Sequence, residues 1–343
     1  NDFECYIVFQ EDYAIKENKN KNFLFRSLYN LKSSIKSIIH KGDQRRVHKK
    51  GFFYVKHSQN PVYFFADEIG NKKKTTSDIT HFDVIIEMAF YFQYTSYFPF
   101  NTDKRIVGIF TDAFPHDGPT YDIVNKKDRS LMNRDEFYQN YLSSYSQIIV
   151  GGGNLLKDYK KITDNVSFVY GIFGEHHFIE NKEVGLNKIL TIGWTGTPDR
   201  PMKGFREFIE PVIDEINKEG RIVLLKTKFS GLYEELYSFY KDVDLVVIAS
   251  SADSGPSLFA EACLSSVPVV STKVGLPLMG LQDGINGLFI ERTKESLKEA
   301  IIKLYDDRQL LKTFSDRIKK DYLEELGNKK SVKNILKILN DNR

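Results

Sequence analysis

The sequence predicts an α/β protein with parallel sheets, divided into two domains. Short apolar runs rich in β-branched residues alternate with helical patterns from one end of the chain to the other. The chain has 343 residues, which is more than a single hydrophobic core usually supports. Hydrophobic residues make up 41% and charged residues 28% of the chain, an ordinary balance for a globular protein.

The first domain is predicted to span residues 1–183. Its apolar runs are short and bounded by polar turn residues, as strands are, and a helix is expected over about residues 23–39. The candidate strands are Tyr6–Phe9, Phe52–Val55, Val62–Phe65, Val84–Ile86, Ile106–Phe110, Ile148–Val150 and Phe168–Tyr170.

The second domain is predicted to span residues 184–325, after a polar linker at Glu180–Asn187. A last helix, in residues 326–343, is expected to return to the first domain. The candidate strands are Ile189–Ile192, Ile222–Leu225, Leu245–Ala249, Val269–Ser271 and Leu288–Ile290. The candidate helices are Phe205–Lys218, Tyr233–Lys241, Ser257–Leu264, Glu295–Leu304 and Ser315–Glu325.

The charge balance argues against a dedicated nucleic-acid-binding protein. Lys and Arg total 49 and Asp and Glu total 46, so the net charge is only +3, whereas phosphate neutralisation needs a clear excess of cations. Two basic stretches, Lys41–Lys50 and Asn71–Lys74, are interpreted as solvated loops. The alternative is a patch that touches anionic lipid or a phosphate-bearing acceptor.

Cysteine use and hydropathy favour a cytoplasmic protein. Cys5 and Cys263 are the only cysteines, which suggests a reducing compartment without a disulfide framework. No run of 18 apolar residues indicates a membrane span, and no signal peptide is visible. Whether residues precede Asn1 stays open.

The segment from Asp244 to Gly275 combines the features of a ligand site. It predicts a buried strand, a polar loop, a helix with Pro256 in its first turn, and a second buried strand. Between Asp253 and Lys273 the only charged residue is Glu261. Glu261 either faces solvent and favours the helix N-terminus or accepts hydrogen bonds from a pair of sugar hydroxyls. The free amides at the helix start form an anion site beside Asp253.

Spaced motifs across residues 189–305 resemble the group-1 clan of retaining glycosyltransferases with the GT-B architecture, a glycogen-synthase-like and mannosyltransferase-like superfamily. Lys203-Gly204 matches the clan's K-G loop, and Val274-Gly275 and Asp283–Leu288 match its downstream elements. The residues in register with the central signature are Ser250, Asp253, Pro256, Glu261, Ala262, Pro268, Val269 and Val270. The resemblance implies two Rossmann-like domains that face a central cleft.

Several positions depart from the clan's pattern. Asp253 replaces a glutamate, Ser254 replaces a glycine, and Thr197 replaces an arginine for which Arg200 is the nearest substitute. One strand–helix step is missing before Tyr233, and the first strand lacks the usual Gly-Gly loop. The clan's His-Asp pair is represented by Thr111-Asp112, with His116 four residues beyond Asp112.

The resemblance implies transfer of a sugar from a nucleoside diphosphate to a hydroxyl, with retention and without a metal or other cofactor. Lys203, Asp253 and Arg200 would be catalytic, with Lys203 and Arg200 at the leaving diphosphate, and Asp253 would hold the donor sugar. The expected donor-binding residues are Glu261, which would hold the ribose, and Gly196, Thr197, Gly255, Pro256, Ser257 and Leu258. Thr111, Asp112 and His116 are candidates for the acceptor side.

The expected partners are a nucleotide sugar and a glycan, lipid-linked or protein acceptor in surface-glycan synthesis. Weak peripheral contact with the inner face of the membrane through Lys41–Lys50 is a further hypothesis. A sugar-nucleotide epimerase of the same shape and an inactive partner subunit remain alternatives. A dehydrogenase is disfavoured because Gly151-Gly152-Gly153 is not a G-x-G-x-x-G fingerprint and is better interpreted as a tight strand-to-helix turn. His176-His177 has no partners at metal-ligand spacing and is interpreted as a loop.

Overall fold

A computed structural model describes residues 7–10, 52–56, 62–66, 72–74, 84–89, 105–109, 121–122, 127–128, 134–171 and 174–342. The chain divides into two compact units, residues 1–81 and 82–343. The domain boundary predicted at residues 183 and 184 lies inside the second unit, between two of its sheets, and stays a prediction.

The first unit contains a four-stranded sheet in the order β1-β2-β3-β4. Its strands are β1 Ile7–Gln10, β2 Phe52–Lys56, β3 Val62–Ala66 and β4 Lys72–Lys74. β1 and β2 are parallel, whereas β3 is antiparallel to both β2 and β4. The interpretation of Lys72–Lys74 as a loop was therefore wrong, because the backbone of this lysine run pairs with β3.

The second unit begins with a four-stranded parallel sheet in the order β10-β9-β6-β5. Its strands are β5 Ile85–Ala89, β6 Arg105–Ile109, β9 Gln147–Val150 and β10 Val166–Phe168. A short antiparallel pair, β7 Tyr121–Asp122 and β8 Lys127–Asp128, lies between β6 and β9 in the sequence. The helices of this part are α1 Arg134–Phe137, extended by a π-helical turn at Tyr138–Leu142, and α2 Gly153–Tyr159.

The larger core surrounds a five-stranded parallel sheet in the order β12-β11-β13-β14-β15. Its strands are β11 Leu190–Thr195, β12 Val223–Lys228, β13 Leu245–Ile248, β14 Val269–Thr272 and β15 Gly287–Ile290. Every residue of β13 and β14 is buried. Helices that cover both faces of the sheet explain why these strands are continuous apolar runs without polar alternation.

The helices of this sheet follow the predicted order with some shifted boundaries. They are α3 Glu210–Lys218, preceded by a π-helical turn at Phe205–Ile209, α4 Leu236–Phe239, α5 Ser257–Leu264, α6 Pro277–Gly280, α7 Lys294–Asp306, α8 Arg308–Glu325 and α9 Asn328–Asp341. α8 begins seven residues before its predicted start because the Asp307 side chain caps it by accepting from Leu310 N at 2.8 Å. The predicted helix at Tyr233–Lys241 is reduced to α4 between two 3₁₀ turns.

The last helix, α9, packs on the four-stranded parallel sheet of the second unit. Ile335 and Ile338 lie against Ile106 of β6 and Ile149 of β9. Side chains of α9 also donate to backbone carbonyls of β10 and the residues after it: Asn334 to Phe168 at 3.4 Å, and Ser331 to Tyr170. α9 therefore joins α8, beside the five-stranded sheet, to the other parallel sheet.

Candidate functional site

The strand order of the five-stranded sheet reverses between β11 and β13. The chain runs outward from β11 to β12 and then crosses back to β13 on the other side of β11. Loops that leave neighbouring strands in opposite directions open a crevice at the carboxyl edge, where α/β proteins bind ligands. The loop after β11 carries Lys203 and the loop after β13 carries Asp253.

Lys203 ends a 3₁₀ turn, Pro201–Lys203, that the next residue fixes in place. Gly204 adopts φ +68°, a left-handed conformation that favours glycine. A Cβ at Gly204 would lie 2.5 Å from the carbonyl oxygen of Ala249, just after β13. Ser251 N also donates to Met202 O at 2.8 Å. The loops after β11 and β13 are therefore held together by backbone contact.

Arg292, which sequence analysis missed, braces the same turn. Its guanidinium donates to Ala249 O at 3.0 Å, to Pro201 O at 3.1 Å and to the Glu207 carboxylate at 3.2 Å. The guanidinium also lies 4.5 Å from the centre of the Phe208 ring. Arg292 follows β15 at the same carboxyl edge. Its place just after a predicted strand is the sequence signal from which it could have been identified.

Lys203 and Asp253 form an ion pair across the crevice, between Nζ and Oδ2. The side chains keep 24% and 11% of their surface exposed, so the pair is shielded but still accessible from the crevice. The structure thus brings together two of the predicted catalytic residues, which lie 50 positions apart in the chain.

Three loops meet beside this pair without room for side chains. A Cβ at Gly152, after β9, would fall directly on the carbonyl of Ser254. Gly275, after β14, has φ +33°, and a Cβ there would strike the carbonyls of Asp253 and Ser254. Gly153 N donates to Gly275 O at 3.2 Å. The Gly151–Gly153 run is a strand-to-helix turn, as predicted, and it brings the four-stranded parallel sheet against the Asp253 loop.

Glu261 is buried in α5, with 1% of its surface exposed. Tyr240 Oη donates to Glu261 Oε2 at 2.6 Å and lies 3.3 Å from Thr195 Oγ1. Burial raises the pKa of Glu261, and hydrogen bonds with Tyr240, Ser257 and Thr195 oppose that rise. The solvent-facing interpretation of Glu261 was therefore wrong, because the carboxylate points into a cluster of hydroxyl groups rather than into water.

Two tyrosines that the sequence analysis did not select complete this part of the site. Tyr240 is fully buried, and the burial together with the Glu261 carboxylate raises the pKa of its phenol. The Tyr170 ring covers Gly255, where a Cβ would lie 3.1 Å from Cε2. Burial, Glu261, Tyr233 and Asp253 raise the pKa of Tyr170. Neither tyrosine belongs to a motif, so only folding reveals their positions.

The predicted donor-binding residues lie along the same edge. Gly255 and Pro256 precede α5, and Ser257 and Leu258 form its first turn. Pro256 has ψ 105° and is the N-cap, one position before the first turn in which it was expected, and the helix itself begins at Ser257 as predicted. The exposed loop after β11 contains Gly196, Thr197 and Arg200. Arg200 is on the same turn as Lys203, with Lys203 N donating to Arg200 O at 2.9 Å.

Other predictions cannot be placed. Thr111, Asp112, His116, Cys5 and Lys41–Lys50 lie outside the described residues.

His176 and His177 are exposed on a 3₁₀ turn, and the His177 ring centre lies 5.1 Å from that of Tyr237. Within the part of the chain that the structure describes, no group of three His, Cys, Asp or Glu side chains could hold a metal ion. No helix in that part is long and apolar enough to cross a membrane.

The sequence of the second half matches a known protein family. Residues 218–321 match the family model described as glycosyl transferases group 1, a segment that contains Asp253 and Glu261 but not Lys203. An uncharacterized glycosyltransferase of Methanocaldococcus jannaschii is 28% identical over 107 residues, which cover 31% of this chain. The match spans 30% of that relative's length.

Several solved structures share the fold. Sucrose-phosphate synthase from Thermosynechococcus elongatus has a TM-score of 0.54 at 12% identity, over 76% of this chain and 73% of that chain. A mutant of TarM from S. aureus, in complex with Fondaparinux, alpha-GlcNAc-glycerol and UDP, has a TM-score of 0.54 at 14% identity, over 84% and 66%. HepE of Anabaena, in complex with UDP and glucose, has a TM-score of 0.51 at 14% identity, over 69% and 72%. These likenesses show that the chain has the GT-B fold.

Proposed function

We propose that this protein transfers a sugar from a nucleoside diphosphate to a hydroxyl acceptor, with retention at the anomeric carbon. The observation that carries the proposal is the meeting of Lys203 and Asp253 at the switch point of the five-stranded sheet. A cation, a carboxylate and the free amides that begin α5 converge there. In a sugar diphosphate, the cation would face the phosphate charge, the carboxylate would bind the sugar hydroxyls, and the amides would donate to the phosphate oxygens.

Lys203 is the group that acts on the leaving diphosphate. As the bond between the anomeric carbon and the phosphate oxygen breaks, negative charge accumulates on the diphosphate. An ammonium fixed beside it stabilises this transition state more than the ground state. The acceptor oxygen bonds to the anomeric carbon on the face that the diphosphate leaves, and the acceptor's proton passes to a leaving phosphate oxygen.

In the structure Lys203 pairs with Asp253, and donor binding would exchange this partner. A diphosphate carries more negative charge than one carboxylate, so it takes the place of Asp253 as the partner of Lys203. Asp253 is then free to accept hydrogen bonds from the donor sugar. Donor binding and the rearrangement of the pair are one event, which keeps both charges compensated in the shielded crevice.

Glu261 is assigned to the ribose of the donor. Its partners in the structure are the hydroxyls of Tyr240, Ser257 and Thr195. Ribose hydroxyls offer the same donor chemistry, so they replace one or two of these partners without leaving the buried carboxylate unsatisfied. Tyr240 remains bonded to Oε2.

The donor class is proposed to be a UDP-sugar, used without a metal. The structures of HepE and TarM, whose folds this chain shares, contain UDP. Lys203, Arg200 and the start of α5 supply positive charge where a divalent cation would otherwise neutralise the diphosphate. The acceptor is proposed to be a glycan in surface-glycan synthesis, since the TarM complex contains Fondaparinux and alpha-GlcNAc-glycerol.

The test is a screen of UDP, GDP, ADP and dTDP sugars with and without EDTA. We expect one donor to stabilise the protein thermally, to release its nucleoside diphosphate in EDTA, and to give a glycoside of unchanged anomeric configuration by NMR. Lys203→Ala should abolish release, whereas Lys303→Ala, on the exposed side of α7, should not. A free epimerised sugar would favour the epimerase, and donor binding without turnover would favour an inactive subunit. Failure to bind any nucleotide would overturn the proposal.

A further inference from the structure

The outer side of α9 carries an alternation of lysine and aliphatic side chains. Lys329, Val332, Lys333, Leu336 and Lys337 are all exposed and follow the spacing of one helical face. Val332 keeps 54% and Leu336 keeps 38% of its surface exposed. The inner side of α9 is already satisfied by the sheet that contains β6 and β9. The aliphatic groups on the outer side belong to none of the core clusters of the described residues.

A positively charged groove adjoins this stripe. It has a volume of about 1100 Å³ and lies between α8, α9 and residues 180–182. Seven lysines and three carboxylates line it, an excess of four positive charges. Leu323 of α8 is also part of the lining and keeps 37% of its surface exposed. The groove thus extends the pattern of lysine and aliphatic groups from α9 onto α8.

Ion pairs account for several lysines that line the groove but not for the exposed lysines of α9. Lys319 pairs with Glu180 at 2.8 Å, Lys330 with Glu325 at 2.6 Å, and Lys312 with Asp316. For Lys329, Lys333 and Lys337, no carboxylate among the described residues lies within ion-pair distance. Three uncompensated positive charges therefore stand around the exposed aliphatic groups.

We propose that this surface docks on an anionic lipid leaflet. The α9 face is defined as Leu323, Lys329, Val332, Lys333, Leu336 and Lys337. Lysines attract the negative headgroups, and the aliphatic side chains between them enter the boundary between headgroups and acyl chains. Adsorption needs both signals because neither alone holds a protein stably at a membrane.

A soluble polyanion explains this surface less well. A sulfated or phosphorylated polymer neutralises lysines but offers little apolar surface to Val332, Leu336 and Leu323. The proposal is independent of the sugar-transfer reaction, and it concerns a different surface from the basic stretch Lys41–Lys50.

The experiment is co-sedimentation of the full chain with phosphatidylglycerol-containing vesicles and with pure phosphatidylcholine vesicles, at low and high salt. The charge variant is Lys329→Gln with Lys333→Gln and Lys337→Gln. The apolar variant is Val332→Ser with Leu336→Ser. The matched control replaces three exposed lysines of α3 and α7 by Gln: Lys218, Lys294 and Lys303. Heparin affinity provides the soluble-polyanion comparison, and circular dichroism checks that every variant is folded.

We expect the wild type to bind the anionic vesicles at low salt and to bind less at high salt. The charge variant should lose on the order of 100-fold in vesicle affinity, because each of the three replaced lysines contributes about fivefold to the attraction by an anionic surface. The apolar variant should lose at least fivefold on vesicles, about the contribution of one buried methylene group, and nothing on heparin. The control should bind vesicles as the wild type does.

Three results would overturn the proposal. The wild type could ignore anionic vesicles at low salt. The charge variant could lose no more vesicle affinity than the control does, which would place any adsorption on another part of the chain. The apolar variant could keep full vesicle affinity, which would leave a site for soluble polyanions instead.

Discussion

The hydrogen bond between Tyr240 and Glu261 offers the sharpest test of the site's electrostatics. Tyr240→Phe removes only the hydroxyl, which lies 2.6 Å from Glu261 Oε2 in a fully buried position. A hydrogen bond to a charged group contributes about 1.5–3 kcal/mol. We therefore expect the free energy of unfolding to fall by about 2 kcal/mol while Glu261 is ionised.

The effect should depend on pH, with a definite sign. Burial already raises the pKa of Glu261 above its value in the unfolded chain. The contribution of Glu261 to stability is therefore fully present below its unfolded-state pKa and is lost as pH rises through its folded-state pKa. Removing the Tyr240 donor raises the folded-state pKa further. The variant's deficit should thus be small in acid and grow toward alkaline pH.

Trp194 provides the assay. It is the single tryptophan of the chain, is buried in β11, and precedes Thr195 of the hydroxyl cluster. Urea unfolding followed by its fluorescence should be compared in mildly acidic and mildly alkaline buffer. Tyr305→Phe is the matched control, because its hydroxyl accepts only an exposed bond from Ile222 N at 3.4 Å. Equal losses in the two variants, or a loss from Tyr240→Phe that does not change with pH, would refute the reasoning.

Three further predictions concern the crevice itself. In steady-state kinetics, Lys203→Ala should lower turnover far more than it raises the half-saturating donor concentration, and near-normal turnover would remove Lys203 from the mechanism. In calorimetry, Glu261→Gln should weaken nucleoside diphosphate and donor alike, by about 1–3 kcal/mol, whereas Asp253→Asn should weaken only the sugar-bearing donor. Equal effects of the two on free nucleotide would contradict their assignment. Gly152→Ala should destabilise by about 1–3 kcal/mol because its Cβ meets backbone. Gly171→Ala should do so much less, since its Cβ meets only a side-chain amide at 3.1 Å, and the urea midpoints would decide.

The buried strands and the helix α5 were well predicted because their signals are local. β13 and β14 are apolar runs that can only be buried between helices, and Ser257–Leu264 was placed with its exact limits. Less regular elements were harder. The segment Tyr233–Lys241 has the residues of a helix, yet it breaks into short turns, and the second turn carries Tyr240, whose hydroxyl donates to Glu261.

The sequence by itself determined the α/β class and the positions of most strands along the chain. It also determined which polar residues follow the strands at the carboxyl edge of the five-stranded sheet, Lys203 and Asp253 among them. These properties follow from periodicity and spacing within about 20 residues. Only the tertiary structure decided that Lys203 pairs with Asp253, that Tyr240 holds Glu261, and that Arg292 braces the Lys203 turn. Each of these contacts joins residues 21 to 91 positions apart. Their partners are chosen by how strands stack and loops converge, which no local pattern encodes.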